Sequence, residues 1–532
     1  MWLTQSVWQY VAKRVIEPQF LCLQEQHPPS FGCHPSCAPP ISCYHPLGTM
    51  SNLVSLNDNV LFMIVSYLSH RDALSLSLTT REIYPLVIMQ VPATVTCRSP
   101  LEMTEAHSYM ILSHIPNHAR RLTHLDVSLT HTFHDPGEIA PLLADLLENA
   151  VNLKHITVGP FASLLSHEPR VGVALNALTK LENIYFHGDP SDDSLTILTH
   201  SRSKPRLLSI AVGQDEGYRR FFSSLTSFSQ SLVKLKLTDL IRLPAGSPDR
   251  LANDVDLPVL PLVQLPQVQY LSLAQCRYII PWVALAHALP NVHSLLLDRV
   301  AKYNTLPRQL WPKLRRLVLP GYAASMDIEE LCPVHWLIMG YPFEHGSSEP
   351  ESDHMDIVHT ASPTMLSVNA SKVQACLKLI HEAGPRLKFL HVDVGYIHSV
   401  RWPGDEVSDP ILPPPVLCFR ARLSEYFKER INAGRTSFNT EVETMLSSAY
   451  PPPHYFAISI QEDGHPDPDV WSDFDEAQWT EYRWWKITGD GLNRQATEIP
   501  QWKGERIRRY LFEADSQSIQ NLDWDNIDEL CL

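Results

Sequence analysis

A short apolar motif recurs through the middle of the chain: one apolar residue, two of any type, a second apolar residue, one of any type, a third apolar residue. It stands at Leu122/Leu125/Val127, Leu153/Ile156/Val158, Leu181/Ile184/Phe186 and Leu207/Ile210/Val212. It returns at Leu232/Leu235/Leu237, Val268/Leu271/Leu273, Val292/Leu295/Leu297 and Leu314/Leu317/Leu319. Val334/Leu337/Met339 and Pro363/Leu366/Val368 are weaker members, and Leu387/Leu390/Val392 closes the series. The last two apolar positions of each motif alternate, which is the period of a strand with one buried face. Each motif therefore predicts one short strand.

Helical patterns fill several of the intervals. Ile139, Leu142, Leu143, Leu146 and Leu147 share one side of a helix, and so do Val373, Cys376, Leu377 and Ile380. Several strands are preceded by Pro or a polar helix end, as in Lys204-Pro205-Arg206, Leu289-Pro290-Asn291, Trp311-Pro312-Lys313 and Gly384-Pro385-Arg386. A strand plus a helix cannot bury its own apolar faces, so neighbouring units must stack. With spacings mostly in the twenties, the array resembles leucine-rich repeats. That resemblance implies an α/β fold: an irregular solenoid of strand–helix units over residues 96–400. The Asn or Cys that completes such a repeat is mostly absent, with Cys276 and Asn369 as candidates. The longer interval from Leu237 to Val268 contains Pro244, Gly246, Pro248, Pro258, Pro261 and Pro266 and reads as an inserted loop.

The motif leucines make the scaffold. Recognition is expected at the variable positions between them: His124, Asp126, His155, Tyr185, Lys236, Tyr270, His293, Arg316 and His391.

Ahead of the array, residues 50–95 carry three short helical patterns. Asn57 or Asp58 can cap a helix whose apolar face is Val60, Leu61, Ile64, Val65 and Leu68. Ser69 can cap a second, with Asp72 three residues on. Leu74, Leu76 and Leu78 alternate as a strand would, but the cap and the lack of β-branched residues favour a helix. Thr79 or Thr80 can cap a third, carrying Ile83, Leu86 and Val87, with Pro85 bending or delaying it. The run Leu56–Leu78 resembles the F-box: an opening Leu, acidic Asp58, paired apolar residues before Tyr67-Leu68, and Arg71-Asp72 before a leucine-rich helix. Asn57 stands where that family usually has Pro, and Ile83 or Tyr84 near where it often has Trp.

F-box/leucine-rich-repeat proteins join these two parts. The resemblance implies a substrate-recognition adaptor of an SCF-type cullin–RING ubiquitin ligase. The F-box would dock the Skp-type adaptor, and the repeats would hold a protein target. Carried over by position, Leu56, Val60, Leu61, Ile64, Leu68 and Leu74 would face the adaptor or form the module's core. The alternative is a leucine-rich-repeat interaction scaffold with no ubiquitin link, in which the same residues only cap the solenoid.

Beyond Val400 the motif fades. Pro410, Pro413-Pro414-Pro415 and Pro451-Pro452-Pro453 punctuate residues 401–532. A helix is expected over Phe419–Ile431, with Leu423, Tyr426, Phe427 and Ile431 on one face. The tail is acidic and Trp-rich, with Trp471, Trp479, Trp484-Trp485, Trp502 and Trp524. Clustered Trp usually anchors, so part of this tail is expected to fold against the solenoid. A disordered acidic–aromatic recognition segment is the alternative.

Composition changes this picture only at its edges. The 532 residues carry a formal net charge of −15, with no long basic run, which argues against nucleic acid as the partner. The ten cysteines are scattered, as in a reducing, intracellular setting. No stretch approaches a membrane span, and the first residues lack a signal-peptide pattern. Residues 1–49 read as a disordered leader. There Cys33-His34, Cys37, Cys43 and His45 match no standard zinc spacing, and Met50 is an alternative start. Phosphate-loop, dinucleotide, nucleophile-elbow and zincin motifs are missing, so neither catalysis nor a cofactor is expected. A rival reading places an enzyme site around His454, Asp463, His465 and Asp467.

Overall fold

The computed structural model describes residues 57–66, 76, 93–112, 118–129, 136–188, 192–212, 217–238, 263–276, 280, 282–298, 300, 310–312, 314–320, 333–340, 352–369, 379, 383–394, 418–423, 453–460, 482–489, 495–514 and 518–519. The leader, the second and third helices of the 50–95 module other than Leu76, and the Leu237–Val268 insertion before residue 263 lie outside these residues. So does the helix expected around Val373–Ile380, apart from Leu379.

Helix α1 (Asp58–Ser66) opens the described chain. The carbonyl of Asn57 accepts from the N–H groups of Val60 and Leu61 at 2.9 and 3.0 Å, so Asn57 is the cap residue. Strand β1 (Ala93–Cys97) and α2 (Pro100–His107) follow, the helix capped by Ser99 Oγ accepting from the Glu102 N–H.

From there strand and helix alternate. β2 (Leu122–Ser128) leads to α3 (Pro136–Asn149), and β3 (His155–Gly159) to α4 (Phe161–His167) and α5 (Arg170–Ala177). β4 (Asn183–Phe186), α6 (Asp192–His200), β5 (Leu207–Ala211) and α7 (Gly217–Ser224) come next. Then come β6 (Lys234–Thr238), β7 (Tyr270–Ala274), α8 (Trp282–Ala288), β8 (Ser294–Asp298), β9 (Arg316–Leu319) and β10 (Trp336–Met339). α9 (Ser352–Ala361), β11 (Met365–Asn369), β12 (Phe389–Val394), β13 (Cys418–Leu423), β14 (Tyr455–Ile460), β15 (Arg483–Thr488), β16 (Gln495–Ile499) and α10 (Gln501–Glu513) complete the order.

The protein is thus α/β, with one open sheet of 16 strands arranged in chain order. Pairing is parallel from β1 to β14 and antiparallel for β14–β15 and β15–β16. Every apolar motif predicted from the sequence supplies a strand. The middle residues Leu125, Ile156, Ile184, Leu235, Leu271, Leu295 and Leu317 fall in one register row; on β5 that row takes Leu208, and Ile210, the middle residue of the motif read there, stands two places on. The row continues through Leu337, Leu366, Leu390, Phe419, Phe456 and Trp485. All of these are buried in one continuous core that also takes in the inner faces of α3–α9. The connecting helices therefore cover a single face of the sheet. The predicted Ile139–Leu147 helix supplies Ile139, Leu143, Leu146 and Leu147 to that core. Full burial of one such Leu or Ile is worth about 1.5–3 kcal/mol, so the row is the main stabilising element.

Side chains also tie successive turns together. Asn152 Nδ2 donates to the Arg120 carbonyl at 2.7 Å, and Asn291 Nδ2 to the Pro266 carbonyl at 2.9 Å. Ser203 Oγ donates to the Leu178 carbonyl, and Trp311 Nε1 to the Leu289 carbonyl, both at 2.8 Å. These groups satisfy backbone acceptors that would otherwise be stranded between strand and helix.

Two expectations for the C-terminal region change. The strands do not end near Val400, because β13 and β14 extend the parallel sheet. Cys418–Leu423 is strand rather than the start of a helix: Phe419 packs in the main core while Cys418 and Arg420 face the other way, a period of two. The docking expectation for the tail holds for part of it. Trp484 is buried on the second face of the sheet and Trp485 on the first, while Trp502 on α10 is 60% exposed. Trp471, Trp479 and Trp524 lie outside the described residues. β16 ends the sheet with Gln495–Glu498 exposed. No helix among the described residues is long and apolar enough to cross a membrane.

Candidate recognition face

Parallel sheets are normally covered on both sides. Here the second face divides in two. From β9 to β15 it is apolar: Val318, Trp336, Ile338, Met365, Phe389, Cys418, Tyr455, Ala457 and Trp484 form a second core. α10 lies over it, inserting Ile507 and Leu511. From β2 to β8 the same rows carry polar and aromatic side chains. One row runs His124, His155, Asn183, Leu207, Lys234, Tyr270, Ser294. The next runs Asp126, Thr157, Tyr185, Ser209, Lys236, Ser272, Leu296.

The sequence already shows the boundary. Strands open on one side alternate, as in Lys234-Leu235-Lys236-Leu237. Strands covered on both sides do not, as in Arg316-Leu317-Val318-Leu319, where all four residues are buried.

His124, Asp126, His155, Tyr185, Lys236 and Tyr270, nominated from the sequence, lie on the open part of this face. His293, just before β8, packs edge-on to Tyr270 with ring centroids 5.2 Å apart. Arg316 and His391 are corrected: both are buried under the C-terminal cover. The Arg316 guanidinium stacks on Trp336 at 4.9 Å, and His391 Nε2 lies 3.5 Å from the Tyr482 hydroxyl. Selecting large polar residues could not separate them from the others, because they occupy the same register rows. The sequence reading also missed Thr157, Asn183 and Lys234, each half-buried on this face. Their signal is position, two residues from a motif apolar residue, and not residue type.

At the N-terminal end of this face, the His124 and His155 rings stack 4.1 Å apart with an interplanar angle of 6°. Asn183 Nδ2 donates to His155 Nδ1 at 2.7 Å, which fits a neutral ring. Partial burial holds His124 below its ordinary value, with Lys154 adding to the effect and Glu182 opposing it. His155 is lowered by burial and then by His124, again against Glu182. Both shifts are downward from 6.5, so the unfolded chain takes up protons first as the pH falls. Their contribution is complete above about pH 6.5 and is lost as pH falls toward the folded values. Ring titrations by NMR should show both histidines protonating below 6.5, with Lys154→Met raising His124. Midpoints above 6.5 would contradict the packing described.

Several of the remaining chemistry-bearing groups are structural. Burial pushes the Cys97 thiol up to about 12 and raises Cys418 as well, so neither is a ready nucleophile. His454 is exposed at the start of β14, and its carbonyl accepts from the Ile487 N–H; the other residues of that rival cluster lie outside the described part. No group of His, Cys, Asp or Glu among the described residues is arranged to hold a metal.

Of the F-box-like positions, Val60 is 37% exposed, Leu61 is buried and Ile64 half-buried. Met63, not nominated, is 55% exposed beside Val60, while Val65 is buried. Leu56, Leu68 and Leu74 lie outside the described residues. A scan of the sequence against protein-family models gives no match, and neither does a search of curated proteins.

Proposed function

We propose that this protein is an intracellular substrate-recognition adaptor of an SCF-type cullin–RING ubiquitin ligase. The 50–95 module docks the Skp-type adaptor, and a leucine-rich-repeat solenoid presents a protein target. The observation that carries this reading is the order of parts: an F-box-like helix stands ahead of a strand-by-strand parallel sheet with a long, partly exposed polar face among the described residues. The chain performs no chemistry in this reading. It raises the effective concentration of its target at the ligase.

α1 sorts the adaptor-facing residues. Leu61 and Val65 belong to the module's interior, and Val60 and Met63 offer the outer face. A charge at Leu61 would therefore test packing and not contact. The full-length chain co-expressed with a Skp-type adaptor is expected to co-purify as a stoichiometric complex. Val60→Asp with Met63→Asp should weaken that complex roughly tenfold or more while leaving the circular dichroism spectrum unchanged. If wild-type chain and adaptor do not associate, the ubiquitin link fails and an interaction scaffold remains. Association untouched by the double substitution would reject α1 as the docking element.

A further inference from the structure

The sheet has a rim at the N-terminal ends of its parallel strands, where each connecting segment enters. Along β2–β6 that rim carries Arg120, Lys154, Lys180, Arg202, Lys204 and Arg206, all exposed. In the described segments entering these strands there is one carboxylate, Glu182, and Lys154 pairs with it at 2.8 Å. Arg206 also feels Glu182, at longer range and without a direct ion pair. Lys180 Nζ donates to Asn152 Oδ1 at 2.7 Å and Lys204 Nζ to the Ser227 carbonyl at 2.8 Å. Composition does not explain this, since the chain has 58 acidic and 43 basic residues. Nor is it the habit of the surface. On the helical side, Arg170 is surrounded by Asp145, Glu148 and Glu168 at 2.9, 3.5 and 3.3 Å.

Helix C-termini favour nearby cations, and the ends of α3, α5 and α6 account for part of the enrichment. They do not account for the lack of carboxylate partners. A second observation shows what the rim can hold. Arg315 stands in the same row as Lys154 and Arg206: each of the three carbonyls accepts from the first strand residue of the next turn. Further along the sheet, this row already grips polypeptide. Arg315 Nη2 donates to the carbonyls of Glu513 and Ala514 at 3.0 and 3.4 Å, and His335 Nε2 to that of Leu511 at 2.9 Å. α10 is thus held by rim donors while its apolar side lies on the sheet. On β2–β6 the equivalent positions carry Lys154, which pairs with Glu182, and Arg206, and most of the described side chains on the equivalent face keep partial exposure.

From this rim and face we infer a docking surface for an acidic polypeptide segment, whose carboxylates meet Lys180, Arg202, Lys204 and Arg206. The four strands that the rim side chains precede, β2–β5, span roughly 14 Å at about 4.8 Å spacing, which matches about four residues of extended chain. A net charge of −15 repels a long polyanion such as nucleic acid at a distance, whereas a short acidic segment feels mainly the local rim. The surface stands whether or not the protein serves a ubiquitin ligase.

The test is fluorescence anisotropy with the full-length chain. The probes are a labelled octaglutamate peptide, an octaglutamine control and an eight-residue oligothymidylate. Octaglutamate is expected to bind saturably and octaglutamine not to bind. Arg202→Glu with Lys204→Glu should weaken octaglutamate about tenfold, as should raising salt from about 50 to about 300 mM. Arg506→Glu with Arg509→Glu on the exposed side of α10 changes the net charge equally and should alter binding less than about twofold. Equal losses in the two double variants, or no saturable binding, would overturn the inference. Tighter binding of the oligothymidylate than of octaglutamate would assign the rim to nucleic acid instead.

Discussion

Trp484→Ala is expected to cost about 3–5 kcal/mol and to release α10 from the sheet. The indole is fully buried, set among Tyr455, Ile507 and Leu511, with Nε1 donating to Glu505 Oε1 at 3.3 Å. Its ring is also the floor on which α10 crosses. A Cβ on Gly504 would stand 2.2 Å from Trp484 Cγ and Cδ2, closer than any real contact. Gly504→Ala should therefore destabilise by about 1–3 kcal/mol on its own. In the Trp484→Ala background the added methyl has room, and most of that cost should vanish, giving a coupling of about 1–3 kcal/mol. Urea unfolding measures the energies. Limited trypsin digestion at Arg506, Arg508 and Arg509 reports whether the helix has left its seat. Additive effects with unchanged protection of those sites would mean that the helix does not depend on the indole.

Gly340→Ala should open a gap in the middle of the sheet. Gly340 follows β10, and its N–H donates to the Leu319 carbonyl at 2.7 Å. A Cβ there would fall 2.0 Å from the Pro320 carbonyl oxygen and 2.8 Å from its Cα. Those are backbone atoms of the preceding turn, and they cannot swing aside as a side chain can. β9 and β10 would have to part where both faces are packed, at a cost of about 3 kcal/mol or more. Gly384 is the matched control. It has φ +67 but open space around a would-be Cβ, so Gly384→Ala should cost only about 1 kcal/mol, from backbone conformation alone. The comparison is read from thermal unfolding midpoints. A Gly340→Ala midpoint no lower than that of Gly384→Ala would remove close approach as the reason for glycine.

The strand positions were legible because each apolar motif repeats the two-residue period of a half-buried strand. The same rule explains what was misread. Beyond Val400, Cys418–Leu423 keeps that alternation, Phe419, Ala421 and Leu423 against Arg420 and Arg422, but also reads at helical spacing; Tyr455–Ile460, apolar on both sides, has lost it. A run such as Tyr455-Phe456-Ala457-Ile458 carries no sign of which face is which. Arg316 and His391 failed as recognition residues for a related reason. Arg316 lies against Trp336, on which Phe512 of α10 packs, and His391 lies beside Tyr482; both neighbourhoods come from far along the chain, and no local pattern near either residue carries them. The rim was missed although Lys204-Pro205-Arg206 had been noticed as a strand entry. Single charges mean little in sequence, and the significance came only when Lys154, Lys180 and Arg206 were brought onto one edge.

The reversal after β14 also decides how the described sheet ends. A stack of parallel strands presents unpaired backbone groups at its last member, ready to accept a strand from another copy. If the chain stopped at β14, that edge would be flanked by Tyr455, Phe456 and Ile458, an aggregation hazard. Two antiparallel strands follow instead. The outer one, Gln495-Ala496-Thr497-Glu498, is exposed, and Glu498 is clamped by Arg483 through bonds of 2.9 and 2.8 Å. A polar, charged outer strand of this kind disfavours edge-to-edge extension of the ladder.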